Sequence, residues 1–226
     1  MGMAAKGSGM VTADRKAWEQ ELRKKRIVDM AEAVFFEKGF AGTTLPAIAG
    51  TAGYNKRTLY LYFKDKQDIF LAVVLRGLEG LRGSLKKSLA ADLPTGSGLR
   101  KLAAAFFDFS IHHPEYLDLI MVYESRYFIY YGKDASGHPD SHLARCQQVS
   151  DEMARMVTAA IEAGMAGGRV KSDLTPRQLM LILWGQVFGV MKILRMRRPH
   201  FDAAFGVSRR ALFDHFVDMV ERSLAP

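Results

Sequence analysis

A chain of 226 residues, 49% of them hydrophobic and 25% charged, is long and apolar enough to bury a core, which excludes a disordered segment as its main form. Its 32 basic against 24 acidic residues leave +8, which favours a polyanionic partner, and its one cysteine, Cys146, excludes an internal disulfide and fits a reducing compartment. The most apolar run, Leu179 to Met191, is interrupted by Gln186 and falls short of the roughly 18 residues a membrane span needs, so the chain reads as soluble and cytoplasmic.

Residues 1–14 read as a flexible tail: no long apolar stretch marks a leader, and Lys6 stands where a myristoylation pattern wants Ser or Thr. Beyond them apolar residues recur at helical spacing and nowhere alternate long enough for a strand, so the fold class is all-α. From 15 to 38, Trp18, Leu22, Ile27, Met30, Ala31, Val34 and Phe35 step along one face, and Gly39 stops the helix. Two very short helices follow. A longer one spans 66–89 and ends at the "DLPTGSG" punctuation of 92–98. Five more are expected at 99–112, 114–130, 141–166, 175–197 and 207–224. Pro114 and Pro176 suit first helical positions, Gly167 and Gly168 a stop, and Pro199 and Gly206 bracket a loop. The total is nine helices, without internal repeat.

The stretch "TTLPAIAGTAGYNKRTLYLYFKDKQDIF" (43–70) explains the two short helices. Thr43 or Thr44 can cap a helix that tolerates Pro46 in its first turn and runs to Ala52, where Gly53 takes the turn. Asn55 caps a second helix, 56–63, after a connection of helix-turn-helix length. On it Leu59 and Phe63 face Ile48, Ala49 and Ala52, while Lys56, Arg57 and Tyr60 point outward and Thr58 and Tyr62 lie at the flank. An apolar anchor on one side with cations, hydroxyls and aromatic edges on the other suits a helix that reads base edges and touches phosphates. Lys66 adds a flanking phosphate contact. The plain alternative is a pair of surface connections that happen to be basic.

In order, Thr44, Ile48, Ala49, Ala52, Gly53, Leu59, Tyr60, Tyr62, Phe63 and Lys66 fall in register with T-x-x-x-I-A-x-x-A-G-V-S-x-x-x-L-Y-x-Y/H-F-x-x-K-E-x-L. Residues 18 to about 75 thereby resemble the DNA-binding domain of TetR-family transcriptional regulators. Tyr54 stands in the turn where the family puts a small aliphatic residue, Asn55 replaces Ser, Gln67 replaces Glu, and Arg57 occupies a position often small. The resemblance implies a three-helix helix-turn-helix domain (15–65) followed by a larger helical domain (66–226) for ligand binding and dimerisation, with helix 66–89 connecting the two. It implies a homodimer on double-stranded DNA with a pseudo-palindromic operator, repression, and release by a small-molecule effector. Thr44, Lys56, Arg57, Thr58, Tyr60, Tyr62 and Lys66 are the candidate DNA contacts.

For the larger domain the resemblance supplies the roles and the sequence supplies residues to fill them. Aromatic residues crowd 106–131 around Pro114, and the candidate pocket consists of Phe106, Phe109, Tyr116, Ile120, Tyr123, Glu124, Tyr127, Met153, Met156, Trp184 and Phe188. Such a stripe also suits plain core. Glu124 fits a cationic effector and Arg126 a carboxylate. The helix at 179–194 is apolar nearly all round, with Gly185 and Gly189 admitting a close neighbour, and the last helix is amphipathic. Leu183, Val187, Val190, Phe213, Phe216, Val217 and Val220 are the candidate dimer interface, against the alternative of a monomeric core. A second domain that only dimerises or meets a protein partner, through the basic 192–202, stays open, as does an all-α enzyme with a buried pocket. No catalytic motif, cofactor fingerprint or metal-ligand spacing is present: His112 and His113 are adjacent and point apart, and Pro139 separates His138 from His142.

Overall fold

The computed structural model describes residues 7–90, 98–127, 140–196 and 200–226, and all regular structure among them is helical. Ten helices follow in order: α1 (Gly7–Gly42), α2 (Leu45–Ala52), α3 (Lys56–Tyr60), α4 (Lys66–Ala90), α5 (Gly98–His112), α6 (Pro114–Tyr127), α7 (His142–Ala166), α8 (Pro176–Met196), α9 (Phe201–Phe205) and α10 (Arg209–Leu224). Two differences from the sequence expectation concern stretches expected to be irregular. The first helix already begins at Gly7, inside the expected tail, and the expected loop before Gly206 holds α9, closed by Gly206 at φ 65° with its amide on the Asp202 carbonyl. The punctuation at 92–97, the aromatic end of the 106–131 run (Phe128, Tyr130, Tyr131) and His138 lie outside the described residues, as do the side chains of Arg126 and Tyr127.

Packing groups the chain into two compact units. The first comprises the described residues of Met1–Arg76 and Leu119–Leu143. Its core is built by α1 from Ile27 onward, by α2 and α3, and by the first half of α4: Ile27, Ala31, Ile48, Ile69, Phe70 and Val73 are fully buried. Phe35, Phe40 and Phe70 meet edge-on or stacked, with centroids 4.7–6.3 Å apart. Trp18 and Leu22, expected on the buried face, are instead 64% and 51% exposed, because α1 extends past the elements that could cover them. Arg76 ties α4 to α1 through Asp29 (2.7 Å) and Glu32 (3.2 Å). His142, the first residue of α7, donates from Nδ1 to Asp68 Oδ1 (2.6 Å) and stacks on Phe63 at 5.8 Å. Burial pushes the Asp68 carboxyl up, but the bonds from His142 and the Lys64 amide outweigh it and hold the group below the usual carboxylate range.

The second unit comprises Gly77–Asp118 and Ala144–Pro226. Its core takes Leu78, Leu81, Leu102, Phe107, Cys146, Ile161, Leu179 and Phe213, and burial pushes the Cys146 thiol well up. A Cβ on Gly77 would stand 2.7 Å from the Tyr116 ring, so only glycine lets α4 and α6 come this close. Ion pairs lock neighbouring helices: Arg82 to Glu152 (2.9 Å), Arg195 to Asp118 (2.7 Å), and Arg100 to both Asp218 (2.6 Å) and Glu221. Helix α8 spans 21 residues and its most apolar 18-residue window has a mean hydropathy of 1.5, long and apolar enough by composition alone to cross a membrane, a test that core helices of soluble proteins pass as well. Leu179, Met191 and Leu194 turn one face of it into the unit.

Candidate nucleic-acid interface

Helix α2 begins at Thr44, whose hydroxyl accepts from the Ala47 amide (3.3 Å), while Thr43 is buried and donates to the Gly39 carbonyl (2.7 Å). Of the two threonines considered as caps, Thr44 does the capping. Gly53 ends the helix at φ 71°, ψ 29°, a left-handed conformation that any side chain would strain. Asn55 then starts α3 by accepting from the Thr58 amide (2.8 Å) and hydroxyl (3.0 Å). The helix proper stops at Tyr60, shorter than the expected 56–63, because the amides of Leu61 and Tyr62 tighten onto carbonyls three residues back. Phe63 still bonds to Leu59 (2.9 Å), so both anchors remain on one side, buried together with Ile48, Ala49 and Ala52.

Thr44, Lys56, Arg57 and Tyr60 are exposed, and Thr58 and Tyr62 half-buried, so none of these candidate contacts is buried in the core. Leu61, 74% exposed at its end, was not among them; an apolar side chain there can meet a thymine methyl. Lys66 has work inside the protein: its ammonium donates to the carbonyls of Phe40 and Thr43 (3.0 Å each) and lies 4.4 Å from the Phe40 ring centroid, leaving one donor for a phosphate. Cations also lie against each of the three tyrosines. Lys56 is 5.6 Å from the Tyr60 centroid, Arg26 is 5.8 Å from that of Tyr54, and Arg23 lies beside the Tyr62 hydroxyl, which raises the arginine's pKa. The two arginines come from α1, and nothing in the spacing of 43–70 announces them.

The candidate pocket residues fall in both units. Ile120, Tyr123 and Glu124 belong to the first, and burial pushes the Glu124 carboxyl up to about 7. Phe106, Phe109, Tyr116, Met153, Met156, Trp184 and Phe188 belong to the second, where Trp184 meets Phe106 edge-on at 5.5 Å and Phe188 at 5.9 Å. Phe106, Phe109 and Met153 are buried, and a cleft of about 20 Å³ elsewhere in this unit, between Ser110, Met191 and Arg195, has room for a water molecule.

The candidate dimer residues need one correction. Phe213 and Val217 are buried in their own unit, with Phe213 4.8 Å from Phe107, and are core. Leu183, Val187, Val190, Phe216 and Val220 are half-buried. The open apolar stripe of α8 runs instead through Ile182, Gly185, Gly189, Ile193 and Met196, and a Cβ on either glycine would meet nothing. On α10 Leu212 and Met219 are the exposed counterparts. Arg195, part of the basic stretch considered for a protein partner, is held by Asp118. Among the described residues no three His, Cys, Asp or Glu side chains gather as metal ligands.

Residues 27–73, which include the whole helix-turn-helix, match the model of the bacterial regulatory proteins of the tetR family. The chain is 26% identical to the HTH-type transcriptional repressor NicS of Pseudomonas putida over 70% of its own length and 71% of the relative's. It is also 26% identical to the HTH-type transcriptional regulator AcrR of Shigella flexneri, over 81% and 83% of the two chains. The transcriptional regulator FadR from Bacillus subtilis, solved with stearoyl-CoA, shares the fold at a TM-score of 0.61 and 16% identity, over 86% of this chain and 96% of that one. A capped two-helix reading motif, the tetR-family model lying over it and regulators aligned along most of the length together identify the chain as a DNA-binding transcriptional regulator whose helix-turn-helix domain is of the tetR type.

Proposed function

We propose that the protein acts as a homodimeric repressor on a pseudo-palindromic operator and that a small apolar or aromatic effector releases it. The observation that carries the DNA half is α3, anchored by buried Leu59 and Phe63 and capped by Asn55, with Lys56, Arg57 and Tyr60 exposed. Lys56 and Arg57 read bases, Thr58 and Tyr62 flank them, and Thr44 and the last donor of Lys66 hold phosphates. Two copies meet along the stripe of Ile182, Gly185, Gly189 and Ile193 with Leu212 and Met219, since among the described residues nothing covers this face of α8. Selection of bound duplexes from a random pool is the test. Recovered sites should be two-fold symmetric with half-sites about 10 base pairs, or a multiple, apart, and the free protein should sediment as a dimer; asymmetric sites or a monomer count against the reading.

The effector half rests on the aromatic wall of Phe106, Trp184 and Phe188, in a unit whose Tyr116 and Met156 are half-buried. A ligand that fits better when the two reading helices are spread lowers DNA affinity by its difference in affinity between the states, commonly about 1–3 kcal/mol. The deep burial of Phe106, Phe109 and Met153 favours a second reading, in which this unit only dimerises. Operator affinity measured against a library of apolar and aromatic compounds separates the two: a compound that weakens binding supports the sensor, and a library without effect supports the dimerisation-only domain.

A further inference from the structure

Between Asp14 and Arg26 no side chain of α1 is buried, so these turns of helix contribute nothing to the core of their unit. Two of their cations are held by carboxylates one turn on. Arg15 pairs with Glu19 (3.1 Å) and Lys25 with Asp29 (3.0 Å). Arg23 and Arg26 differ: among the described residues neither forms an ion pair, and each lies against a tyrosine. The two tyrosines bracket α3. Tyr54 immediately precedes its cap, Asn55, and Tyr62 follows its last residue, Tyr60, by two positions.

The chemistry of these contacts decides what the arginines are available for. A carboxylate neutralises a guanidinium and occupies its fork of N–H donors, as Glu32 and Asp29 do to Arg76. A tyrosine ring under Arg26 or a hydroxyl beside Arg23 restrains the side chain but leaves its full charge and most donors free. Arginines three residues apart share one face of a helix, so α1 presents both on the side where α3 is exposed. Arg26 also lies along the turn, its Nη2 4.0 Å from where a Cβ on Gly53 would stand. A planar, fully charged fork beside a base-reading helix matches one partner chemistry, the phosphates of the duplex that helix enters.

We propose that Arg23 and Arg26 grip the DNA backbone at the two ends of α3, each aimed by its tyrosine, Tyr62 and Tyr54. The assignment rests on α3 being the DNA-reading helix. It also gives the tyrosines of this segment a use: they hold cations in place without cancelling them.

Fluorescence anisotropy of the full-length protein on a labelled random-sequence duplex, titrated between about 50 and 200 mM salt, tests it, because log affinity falls with log salt by about 0.9 per phosphate neutralised. Arg23→Gln and Arg26→Gln should each lower the slope by about 0.9 for every phosphate the variant leaves unneutralised, and the double variant by the sum, with affinity at 0.1 M salt down about tenfold per phosphate. Arg26→Lys should restore the slope. Tyr54→Leu should weaken binding while keeping most of the slope, since the charge stays but loses its aim, and Tyr54→Phe should leave both unchanged. Thermal melts confirm that the exposed positions tolerate the changes. Wild-type slopes in both glutamine variants overturn the proposal while leaving DNA binding by α3 intact, whereas a wild-type protein that does not bind the duplex at 50 mM salt overturns both.

Discussion

The surface around α3 and the open stripe of α8 are both incompletely covered by their own chain, yet they expose opposite chemistries. Around α3 the apolar residues are all anchored inward except Leu61, and what faces out is charged or hydroxylated and held in place by caps and tyrosines. Along the middle and end of α8 the outward residues are chiefly apolar or small, Ile182, Gly185, Gly189, Ile193 and Met196, with Gln186 and Lys192 the exposed polar residues among them. A surface of the first kind stays soluble alone and discriminates among partners by geometry; one of the second kind is stable only when covered, and glycine lets the cover come close. On the proposed function, specificity and assembly fall to different helices.

The most disruptive tests separate assembly from folding on neighbouring helices. Phe213→Ala should lower stability by about 3–5 kcal/mol in chemical denaturation without changing the oligomeric state of the folded fraction. A variant that stays equally stable but dissociates would return Phe213 to the partner face. Ile182→Glu together with Ile193→Glu should do the reverse: like charges facing each other across the two-fold cost several kcal/mol of association. The same pair should leave the folding of each chain within about 0.5 kcal/mol per site, and a dimer persisting at micromolar concentration would remove the stripe from the interface.

Next in size is Glu124. With its folded-state pKa raised to about 7, the native chain keeps a proton that the unfolded chain has released, so stability should fall as pH climbs from about 4.5 to about 7 and level off above. Glu124→Gln should flatten that part of the profile and exceed the wild type at pH 8 by up to roughly 3 kcal/mol, less to the extent that water reaches the side chain. Identical profiles for the two proteins would show that the carboxylate is solvated.

Smaller effects probe the reading motif. Lys66→Met keeps the stem but removes two charged hydrogen bonds, and should cost about 2 kcal/mol of stability; a lysine serving DNA alone would leave the melt unmoved. Asn55→Ala should cost about 1 kcal/mol, read in the same melts. An unchanged melt would mean that water replaces the cap.

These tests also mark where the sequence was legible. Thr44, Gly53 and Asn55 act on neighbours within a few positions, so their caps and turn, and with them the helix-turn-helix, could be read directly. Lys66 could not, because its acceptors, Phe40 and Thr43, lie 26 and 23 residues earlier. Arg23 and Arg26 were hidden for the same reason: helical spacing says which side of α1 they share but not that tyrosines lie opposite. The misassignment of Phe213 and Val217 has a different origin. An amphipathic helix such as α10, with one wide apolar face, carries a periodicity that marks what is buried without saying whether the cover is its own chain or another copy.

The bond from His142 to Asp68 joins positions 74 residues apart within the first unit. This unit is therefore discontinuous along the chain, and a fragment ending at Arg76 lacks the imidazole that stacks on Phe63, the carboxylate's partner and the whole of Leu119–Leu143. During synthesis the DNA-reading end cannot finish folding when Arg76 emerges from the ribosome; it must wait until position 142 has been made, by which time Gly77–Asp118 of the other unit has been translated as well.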